Sequence, residues 1–477
     1  MEKQQIIGRH YELEQLREMS QTPESEIAIV YGRRRVGKTF LVKECFRGKF
    51  DFVVAGIHNK PSDVQLQTFS NALSEYSGET RNIPKDWYEA FEQLKEHIRS
   101  IKRKGKKVIF LDEIAWLDTD DTDFMGAFEG FWNGWCTIRN DILLIVCASS
   151  TSWITKKLFR HKGGLFNRSS RRLYLNPFTL SETEEYLQSR GIEWTRYDIV
   201  ESYMIMGGIP FYLKQLSPRL TYSQNIDAIF FKERGLLWDE FTCLYETLFE
   251  ESEAYMRIVR ALQKKRIGLT RSEIVQETKM ANNGLLGEYL TDLVDSGFVR
   301  VYTFFGKSKK DMMYQLKDYF TMFYLTHIEK HYGRDEHYWT NSMDSSSRRA
   351  WAGYGFEQVA CDHIEQIKRK IGISGVLSEC SSWFSRGDNG ERGAQIDLCI
   401  DRNDRVISLC EMKYSIADFE VDKSYDEHLR ERTECFRRAS KTRKALQNVL
   451  VTTYGLKQNK YSQVFQTVVT MDDFFAF

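Results

Sequence analysis

Residues 32–39 read Gly32-Arg33-Arg34-Arg35-Val36-Gly37-Lys38-Thr39, after an apolar run and before a helix-like segment. Strand, glycine loop and helix form the setting that a phosphate-binding loop requires. The glycines let backbone N–H groups turn toward phosphate oxygens, and the start of the helix adds partial positive charge. Lys38 is expected to reach the β- and γ-phosphates, and the Thr39 hydroxyl to bind Mg²⁺. This stretch predicts a site for a nucleoside triphosphate, which we take to be ATP.

Two further apolar runs end in polar residues. The run 108–111 is followed by Asp112-Glu113 and is continuous, as expected of a strand that is buried on both faces of a parallel sheet. Asp112 is predicted to bind Mg²⁺ directly or through water, and Glu113 to orient or deprotonate the attacking water, which favours hydrolysis over passive binding. The run 142–148 leads into Ser149-Ser150-Thr151, where Ser149 is placed to sense the γ-phosphate and Ser150 or Thr151 to cap a helix.

Length and composition indicate a multidomain globular protein. The 477 residues suffice for two to four domains, each with its own core. The net charge of +1 gives no overall attraction to nucleic acid, so any such attraction must come from local patches. No apolar run approaches the length of a membrane span, and the N-terminus lacks a signal-peptide pattern. Nine cysteines without paired spacing favour reduced thiols, so we expect a cytoplasmic protein without a membrane partner.

Strands and helices alternate in the first part of the chain. The strands are expected at 27–31, 52–54, 108–111, 142–148 and 172–175, and the helices at 62–76, 87–104 and 124–136. This alternation predicts a three-layer α/β domain over residues 1–178. Residues 179–247 read as a helical lid that begins with a cap at Thr179 or Ser181 and is broken at Gly207-Gly208-Ile209-Pro210.

Several ordered motifs resemble archaeal-type ATPases of the signal-transducing P-loop class, which are relatives of AAA+ proteins. The motifs are Ile6-Ile7-Gly8-Arg9 with Glu12-Leu13, the glycine loop, Phe110-Leu111-Asp112-Glu113, Ala148-Ser149-Ser150 and Gly207-Gly208-Ile209-Pro210. The resemblance covers roughly residues 5–245 and implies a P-loop NTPase fold.

The resemblance also implies roles for residues outside the loop. Gly8-Arg9 would lie near the adenine, and the segment that ends in Pro210 would close over the nucleotide from the lid. Arg168, Arg171 and Arg172 become candidates for reaching the γ-phosphate, within one subunit or across the interface of a homo-oligomer. The alternative for these arginines is a solvated basic strand end. The loop arginines 33–35 likewise add positive charge near the phosphates or point to solvent.

Residues 248–333 follow the pattern of a winged helix-turn-helix. Helices are expected at 255–264, after a cap at Thr270 and Glu273, and at 282–294, and two strands at 298–302 and 313–316 enclose a lysine-rich loop. The third helix starts with Asn282 and Asn283 but carries no Arg or Lys, which are common readers of base edges. We expect either weakly specific DNA binding, with wing lysines on phosphates, or a module that packs between domains.

Residues 348–477 form the fourth predicted domain. A β-hairpin is expected from the runs 395–400 and 406–413, which places Asp397 on the first strand and Glu411 and Lys413 on one face of the second. Two carboxylates bind Mg²⁺, which activates water, while a lysine stabilises the charge of the transition state. Glu357, on the preceding helix, supplies a further carboxylate.

The Ile-Asp strand, the Glu-x-Lys tripeptide and the hairpin resemble the restriction-endonuclease-like PD-(D/E)XK fold. Residues 348–477 are similar to the nuclease-like domain that is often attached to this ATPase class. The alternative is a degenerate fold whose carboxylates only solvate a strand end. The basic helix at about 426–445 faces either a phosphate backbone or water.

The fold class predicted from the sequence is therefore multidomain α/β: a P-loop NTPase domain with helical lid, a winged helix-turn-helix and a restriction-endonuclease-like α/β domain. The corresponding function is an ATP-hydrolysing switch that controls a Mg²⁺-dependent nuclease acting on nucleic acid, DNA being favoured, in defence or processing. The alternative is a non-catalytic, ATP-gated regulator or scaffold. Motifs of a translocating helicase are not evident beyond the ATP site.

Overall fold

The computed structural model describes residues 6–159, 169–307, 311–385 and 393–476. The chain forms two compact units. The first comprises Met1–Pro177, Leu244–Ser252 and Thr291–Ser296, and the second Phe178–Cys243, Glu253–Leu290 and Gly297–Phe477. The four domains expected from the sequence remain a prediction, since residues 244–252 and 291–296 join the first unit across the expected boundaries.

The first unit contains a five-stranded, wholly parallel sheet. Its strands are β1 (Glu26–Tyr31), β2 (Phe52–Ala55), β3 (Lys107–Asp112), β4 (Ile142–Ala148) and β5 (Arg171–Tyr174). The order is β2-β3-β4-β1-β5, so β4 lies between the strand that precedes the glycine loop and the strand that ends at Asp112. All residues of β3 and β4 are buried, because helices cover both faces of a parallel sheet. All five predicted strands are confirmed.

Helices of the first unit pack an aromatic core against this sheet. Phe69, Trp87, Phe91, Phe124 and Phe128 all lie in the core, with less than 3% of each residue exposed. Adjacent rings meet at edge-to-face or stacked angles, as at Trp87 and Phe124, whose centroids lie 4.9 Å apart. The main helices of this part are His10–Met19, Lys38–Cys45, Ser62–Ser77, Trp87–Ser100 and Phe124–Phe131, followed by a π-helical turn at Trp132–Cys136. The helix expected to extend to residue 104 ends at Ser100.

The second unit begins with short helices. They are Leu180–Ser189, Arg196–Met206, Pro210–Leu213 and Tyr222–Ile226, with a π-helical turn at Asp227–Phe231. The first of them is capped by Thr179, whose hydroxyl accepts the Glu182 N–H while the Glu182 carboxylate accepts the Thr179 N–H. Ser181 lies inside the helix, so the alternative cap at this residue is wrong.

A three-stranded antiparallel sheet follows, with strands β6 (Leu269–Thr270), β7 (Val299–Tyr302) and β8 (Met313–Leu316) in the order β6-β8-β7. The associated helices are Glu240–Leu248, Ser252–Gln263, Arg271–Thr278 and Gly284–Asp295. The predicted cap at Thr270 and Glu273 is confirmed. The strand β6 was not expected, because two residues are too few for a periodic pattern.

The last part of the second unit contains a mixed five-stranded sheet. Its strands are β9 (Ser378–Ser385), β10 (Ala394–Arg402), β11 (Val406–Lys413), β12 (Ala445–Thr452) and β13 (Thr467–Thr470), in the order β13-β12-β11-β10-β9. The hairpin of β10 and β11 is confirmed, and β12 and β13 run parallel to β11. Remaining helices include Tyr319–Phe323, Tyr338–Asn341, Ser346–Asp362, Ile364–Lys370 and Lys423–Ser440. Among the residues that the structure describes, none of the helices combines the length and the apolar character needed to cross a bilayer.

Gly208 is a position where the second unit requires glycine. Its φ is +66°, and a Cβ there would lie 2.2 Å from the carbonyl oxygen of Phe178. We expect Gly208→Ala to lower the free energy of unfolding by about 1–3 kcal/mol and to lower the melting temperature by several degrees. Gly191→Ala is the matched control, since Gly191 has φ +72° and a Cβ there would have no described atom within 4 Å. Calorimetry of both variants checks this; equal losses would show that the close approach is unimportant.

Candidate functional site

The glycine loop joins β1 to the helix Lys38–Cys45 in the predicted way. Gly32 has φ +140°, and a Cβ there would lie 2.5 Å from the Leu175 carbonyl oxygen, so only glycine fits. Gly37 has φ +93° and stands directly before the helix. Arg35 takes a left-handed conformation with φ +73°, which is uncommon for a residue with a side chain. Positive φ angles at these three positions are typical of a loop whose N–H groups turn toward an anion.

Lys38 is buried, and its ammonium group binds oxygens of its own loop. It donates to the carbonyl oxygens of Gly32 and Arg33, both at 3.0 Å, and to the Ser149 hydroxyl at 2.9 Å. Burial lowers the pKa of Lys38, and the nearby Glu113 opposes this shift. These acceptors satisfy the ammonium where phosphate oxygens would otherwise do so.

Thr39 and Asp112 form the oxygen-rich part of the site. The Thr39 hydroxyl donates to Asp112 Oδ2 at 2.8 Å, and Asp112 Oδ1 accepts the Glu113 N–H at 3.1 Å. Burial raises the pKa of Asp112, because nearby charge does not fully compensate the carboxylate. A hydroxyl and a carboxylate in contact are the hard oxygen ligands that Mg²⁺ prefers. The residues present therefore fit a Mg²⁺ ion at this place.

Glu113 is held by Ser149. Its carboxylate accepts the Ser149 N–H at 2.9 Å and the Ser149 hydroxyl at 2.5 Å. The sheet order explains the contact, because β4 ends between the loop that carries Lys38 and the end of β3. Ser150 accepts the Trp153 N–H at 3.4 Å and so caps the short helix Thr151–Trp153. Ser149 thus contacts both Lys38 and Glu113.

Arg9 lies at the loop and is buried. Its guanidinium donates to the carbonyl oxygens of Asn176 at 2.6 Å and Val36 at 3.4 Å, which ties the segment after Gly8 to the loop. Arg33 is buried, and Arg34 and Arg35 are partly buried. The expected contact of Gly8-Arg9 with adenine remains a prediction.

The candidate γ-phosphate arginines have other contacts. Arg171 donates to the Gln15 side chain at 2.7 Å, and Arg172 donates to Ser169 Oγ at 2.9 Å and covers the Phe159 ring. Arg168 lies outside the described residues. Pro210 belongs to the second unit, where it begins the helix Pro210–Leu213, and its contact with nucleotide remains a prediction.

Sequence reasoning missed His58 beside this site. His58 follows β2, and the centroid of its ring lies 5.2 Å from the ring centroid of Trp116. Burial lowers its pKa, and the charge of Arg34 acts in the same direction while Glu113 opposes it. The sequence could have indicated this position of His58, because β2 runs parallel to β3 and the residues that follow the two strands lie at the same edge of the sheet.

Glu411 and Lys413 share a face at the end of β11, as predicted. Lys413 Nζ lies 2.8 Å from Glu411 Oε1, and the Tyr425 hydroxyl donates to the same oxygen at 2.5 Å. The guanidinium of Arg432 binds Glu411 Oε2. Burial alone would raise the pKa of Glu411, but Arg432 and Lys413 outweigh it and lower this pKa to about 2. Glu411 is therefore a buried, ionised carboxylate with cations on both oxygens.

Asp397 sits at an irregularity of β10. The pairing of β10 with β9 shifts between Ile396 and Cys399, and such bulges turn side chains away from the regular alternation. Asp397 Oδ2 accepts the Met412 N–H at 3.4 Å, and Oδ1 accepts the Gln395 amide at 3.2 Å. Burial and the charge of Glu411 raise the pKa of Asp397. The bulge directs this carboxylate toward β11.

Glu357 reaches the same place from the helix Ser346–Asp362. Burial, followed by the charge of Asp397, raises its pKa to about 8, while Lys413 opposes the shift. The structure thus brings together the four residues predicted for this site. In the described part of the chain, however, no group of three His, Cys, Asp or Glu residues has the geometry to hold a metal ion. Since cations already occupy both oxygens of Glu411, the residues as arranged do not fit a divalent ion.

Arg432 and Tyr425 are functional candidates that sequence reasoning missed. Both lie on the helix Lys423–Ser440, where Leu429 and Phe436 are also buried. Residues 425, 429, 432 and 436 share one face of a helix. The position of an arginine within this mostly apolar face could have indicated that Arg432 is buried. The other basic residues of this helix largely pair with acids one turn away, as Arg430 does with Asp426 at 2.9 Å.

The segment predicted to be a winged helix-turn-helix makes contacts within the chain. The Phe305 N–H donates to the Ser382 carbonyl at 2.8 Å, and the Phe305 ring lies 5.0 Å from Phe436, measured between centroids. The Arg271 guanidinium donates to Asn282 Oδ1 at 2.8 Å, so the first expected base reader is already engaged. Lys309 and Lys310, expected on phosphates, lie outside the described residues. These contacts occupy part of the expected DNA-binding surface.

A second buried network connects the helix Arg196–Met206 to the residue that follows β11. The Tyr414 hydroxyl donates to Glu201 Oε1 at 2.7 Å, and Arg348 binds Glu201 Oε2 at 3.1 Å. Arg348 also donates to the Trp339 carbonyl and lies 4.0 Å from the centre of its ring. Glu201 lies on the helix Arg196–Met206, and Tyr414 directly follows Lys413. Four residues distant in sequence therefore form one connected polar cluster.

Comparisons with known proteins cover different parts of the chain. Residues 7–216 match the family described as an ATPase domain predominantly from Archaea. This segment is therefore similar to archaeal-type ATPase domains, which supports that part of the resemblance. The chain is also 24% identical over 426 residues to the uncharacterized protein MJECL04 of Methanocaldococcus jannaschii, covering 88% of this chain and 90% of that protein.

Two solved structures are similar to the chain. One is the Walker-type ATPase PABY2304 of Pyrococcus abyssi, with 14% identity, a TM-score of 0.48, and coverage of 68% of this chain and 97% of that one. The other is the ORC2 protein of Aeropyrum pernix in its ADPNP-ADP complexes, with 13% identity, a TM-score of 0.43, and coverage of 69% and 96%.

The raised pKa of Glu357 predicts a dependence of stability on pH. A carboxyl group whose folded pKa exceeds the unfolded one stabilises the fold at low pH and loses this contribution as pH rises toward about 8. We expect Glu357→Gln to gain stability over wild type between pH 5 and pH 8 by on the order of 1 kcal/mol. Thermal melts across this range test it, with the exposed Glu365→Gln as control. Parallel profiles of wild type and Glu357→Gln would contradict it.

Proposed function

We propose that the chain is an ATP-hydrolysing switch that controls a C-terminal site for the cleavage of phosphodiester bonds in nucleic acid. The ATPase half is supported by the family match of residues 7–216 and by the contacts of Lys38, Thr39, Asp112 and Glu113. The C-terminal half is supported by a single observation. The structure brings Glu357, Asp397, Glu411 and Lys413 together at the end of β11, from a helix and two strands.

ATP binding requires Lys38 to change partners. The phosphates offer oxygen acceptors at the centre of the loop, so the ammonium exchanges the Gly32 and Arg33 carbonyls and the Ser149 hydroxyl for the β- and γ-phosphates. Thr39 and Asp112 hold Mg²⁺, which, when bound, neutralises charge on these phosphates. Ser149 loses one partner in this exchange. Glu113 can then accept a proton from, or orient, a water molecule that attacks the γ-phosphate.

In the C-terminal site, Lys413 is the group that stabilises charge on a phosphodiester in the transition state. Its side chain is about one-third exposed, while Glu411 beneath it is buried. Asp397 supplies a carboxylate that can accept a proton from attacking water, and Glu357, whose pKa is raised to about 8, can do so only at a pH where it is ionised. No step is assigned to a metal ion here, since the carboxylates as arranged do not fit one.

Nucleic acid, most simply DNA, is the partner that this proposal requires. The three helices and the sheet β6-β8-β7 follow the order of a winged helix-turn-helix, and the strand order of the last domain accords with a restriction-endonuclease-like fold. Homo-oligomerisation belongs to the same proposal, because an arginine from a second copy would complete the ATP site. Defence or nucleic-acid processing are the settings in which a switched nuclease acts.

A second candidate function is favoured by specific contacts. Arg432 neutralises Glu411, and the Phe305 segment of the wing is docked on β9 and on Phe436. Both contacts suit a non-catalytic, ATP-gated regulator whose C-terminal fold binds nucleic acid or protein without cutting it. This candidate predicts ATP hydrolysis without cleavage under any condition.

Glu113→Gln tests the ATPase half. Removing the base should lower kcat for ATP hydrolysis by about 10²-fold or more and leave the Kd for ATP within a few-fold of wild type. Steady-state hydrolysis and fluorescent-nucleotide binding measure the two effects. Glu92→Gln, a charge-neutralising change on an exposed helix face, is the control and should retain wild-type kcat. Unchanged kcat in Glu113→Gln would remove Glu113 from the mechanism.

Cleavage assays test the C-terminal half. Plasmid, linear and single-stranded DNA and RNA are incubated with Mg²⁺ or Mn²⁺, with and without ATP. Lys413→Ala should abolish cleavage. Lys38→Ala should remove the dependence of cleavage on ATP. Lys423→Ala, which removes an exposed lysine of a nearby helix, should cut as wild type does.

Absence of cutting by wild type, together with intact ATP hydrolysis, would favour the regulator. Cutting that persists in Lys413→Ala would show that the active residues lie elsewhere.

A further inference from the structure

Arg432 is a buried cation at the centre of the C-terminal site. Its side chain is 3% exposed and that of Glu411 is 8% exposed, and the two are in direct contact. The Glu411 oxygen that faces away from Arg432 binds Lys413 and Tyr425. Three partners from the same chain therefore occupy the two oxygens of this carboxylate, two on Oε1 and one on Oε2.

The burial of Arg432 beside Glu411 costs free energy of desolvation. A buried ion pair loses the hydration of both charges, and well-packed apolar residues would often be as stable. In addition, Nε and Nη2 of Arg432 are buried and have no hydrogen-bond partner among the described residues. Leu429 and Phe436 lie on either side of Arg432 and show that apolar residues pack at this face. A guanidinium is nevertheless placed here, directly on Glu411.

The charges of the site explain what Arg432 changes. Lys413 and Arg432 are the two positive charges that face the carboxyls of Glu357, Asp397 and Glu411. At any given protonation state of these carboxyls, removing Arg432 makes the site more negative by one charge, which favours the binding of a divalent cation. With Arg432 present, a divalent ion would leave an excess of positive charge in a buried place, which is unfavourable.

We infer that Arg432 is the resident cation of the C-terminal site, and that its guanidinium holds the place on Glu411 that a divalent metal ion would otherwise take. This inference rests on the proposed function of the same site, but it concerns metal binding rather than cleavage. It follows that metal binding requires the helix Lys423–Ser440, or the Arg432 side chain, to move. Arg430 and Arg437 of this helix instead pair with acids on the same helix.

Mn²⁺ binding to the full chain, measured by the EPR signal of free Mn²⁺, tests the inference. All proteins carry Thr39→Ala and contain no nucleotide, which suppresses the ATP site. Arg432→Met removes the charge and keeps an extended apolar stem. We expect it to bind about one additional Mn²⁺ per chain, at least 10-fold more tightly than the Thr39→Ala parent, and to lose this ion when Glu411→Gln is added. Arg430→Met, on the exposed side of the same helix, should bind Mn²⁺ as the parent does.

A folded Arg432→Met that binds no more Mn²⁺ than the parent would overturn the inference. If Arg432→Met does not fold, Mn²⁺ binding by Glu411→Gln in the Thr39→Ala parent still tests the inference. Mn²⁺ binding that is unchanged by Glu411→Gln supports the inference, whereas a site that Glu411→Gln abolishes would show that metal binds beside Arg432.

The same variants distinguish a failure of the proposed nuclease function from a failure of the inference about Arg432. Arg432→Met that gains Mn²⁺ but cuts no nucleic acid would uphold the inference and contradict the nuclease. Cutting by the parent with Mg²⁺, dependent on Glu411 and accompanied by Mn²⁺ binding at Glu411, would uphold the nuclease and contradict the inference.

Discussion

The arrangement of the ATP site depends on the burial of one ammonium group. Lys38 lies out of water, so its protons need oxygen acceptors within the fold. It finds them in two carbonyls of its own loop and in the hydroxyl of Ser149. Because β4 lies between β1 and β3, the same hydroxyl also contacts Glu113. A ligand that attracts Lys38 therefore alters the hydrogen bonds of the hydrolytic carboxylate through a single serine.

The C-terminal site satisfies its buried charges differently. Glu411 receives cations from two directions, and Glu357 and Asp397 have pKa values above the ordinary range because burial is not fully compensated. In the first site, a lysine is satisfied by neutral oxygens that a phosphate can replace. In the second, a carboxylate is satisfied by charged groups of its own chain. The first arrangement exchanges easily with a ligand, and the second resists exchange.

Much of this organisation could be predicted from the sequence, for physical reasons that differ between elements. Buried parallel strands are continuous apolar runs, so β1, β3 and β4 and the polar residues after them were recognisable. The cap at Thr270 was equally local, since both partners lie within four residues. Arg432 was missed because its partner is 21 residues away and a single arginine in a basic helix normally faces water.

Other features are set by tertiary contacts that no local pattern records. The bulge that directs Asp397 toward β11 arises from the pairing of β10 with β9. The engagement of Asn282 by Arg271, and of Phe305 by β9, depends on segments brought together by folding. Sequence alone could propose the composition of the C-terminal site, whereas the neutralisation of its charges required the structure.

The buried cluster of Glu201, Arg348 and Tyr414 determines how the second unit can deform. Moving the helix Arg196–Met206 away from both Arg348 and Tyr414 would leave Glu201 as an unpaired charge in the interior, at a cost of about 3–5 kcal/mol. Thermal fluctuations rarely supply that energy, so the helix and the strand end are expected to travel as a single body. A torque applied to the lid would therefore turn the strand that carries Lys413 with it, and no hinge between them is needed.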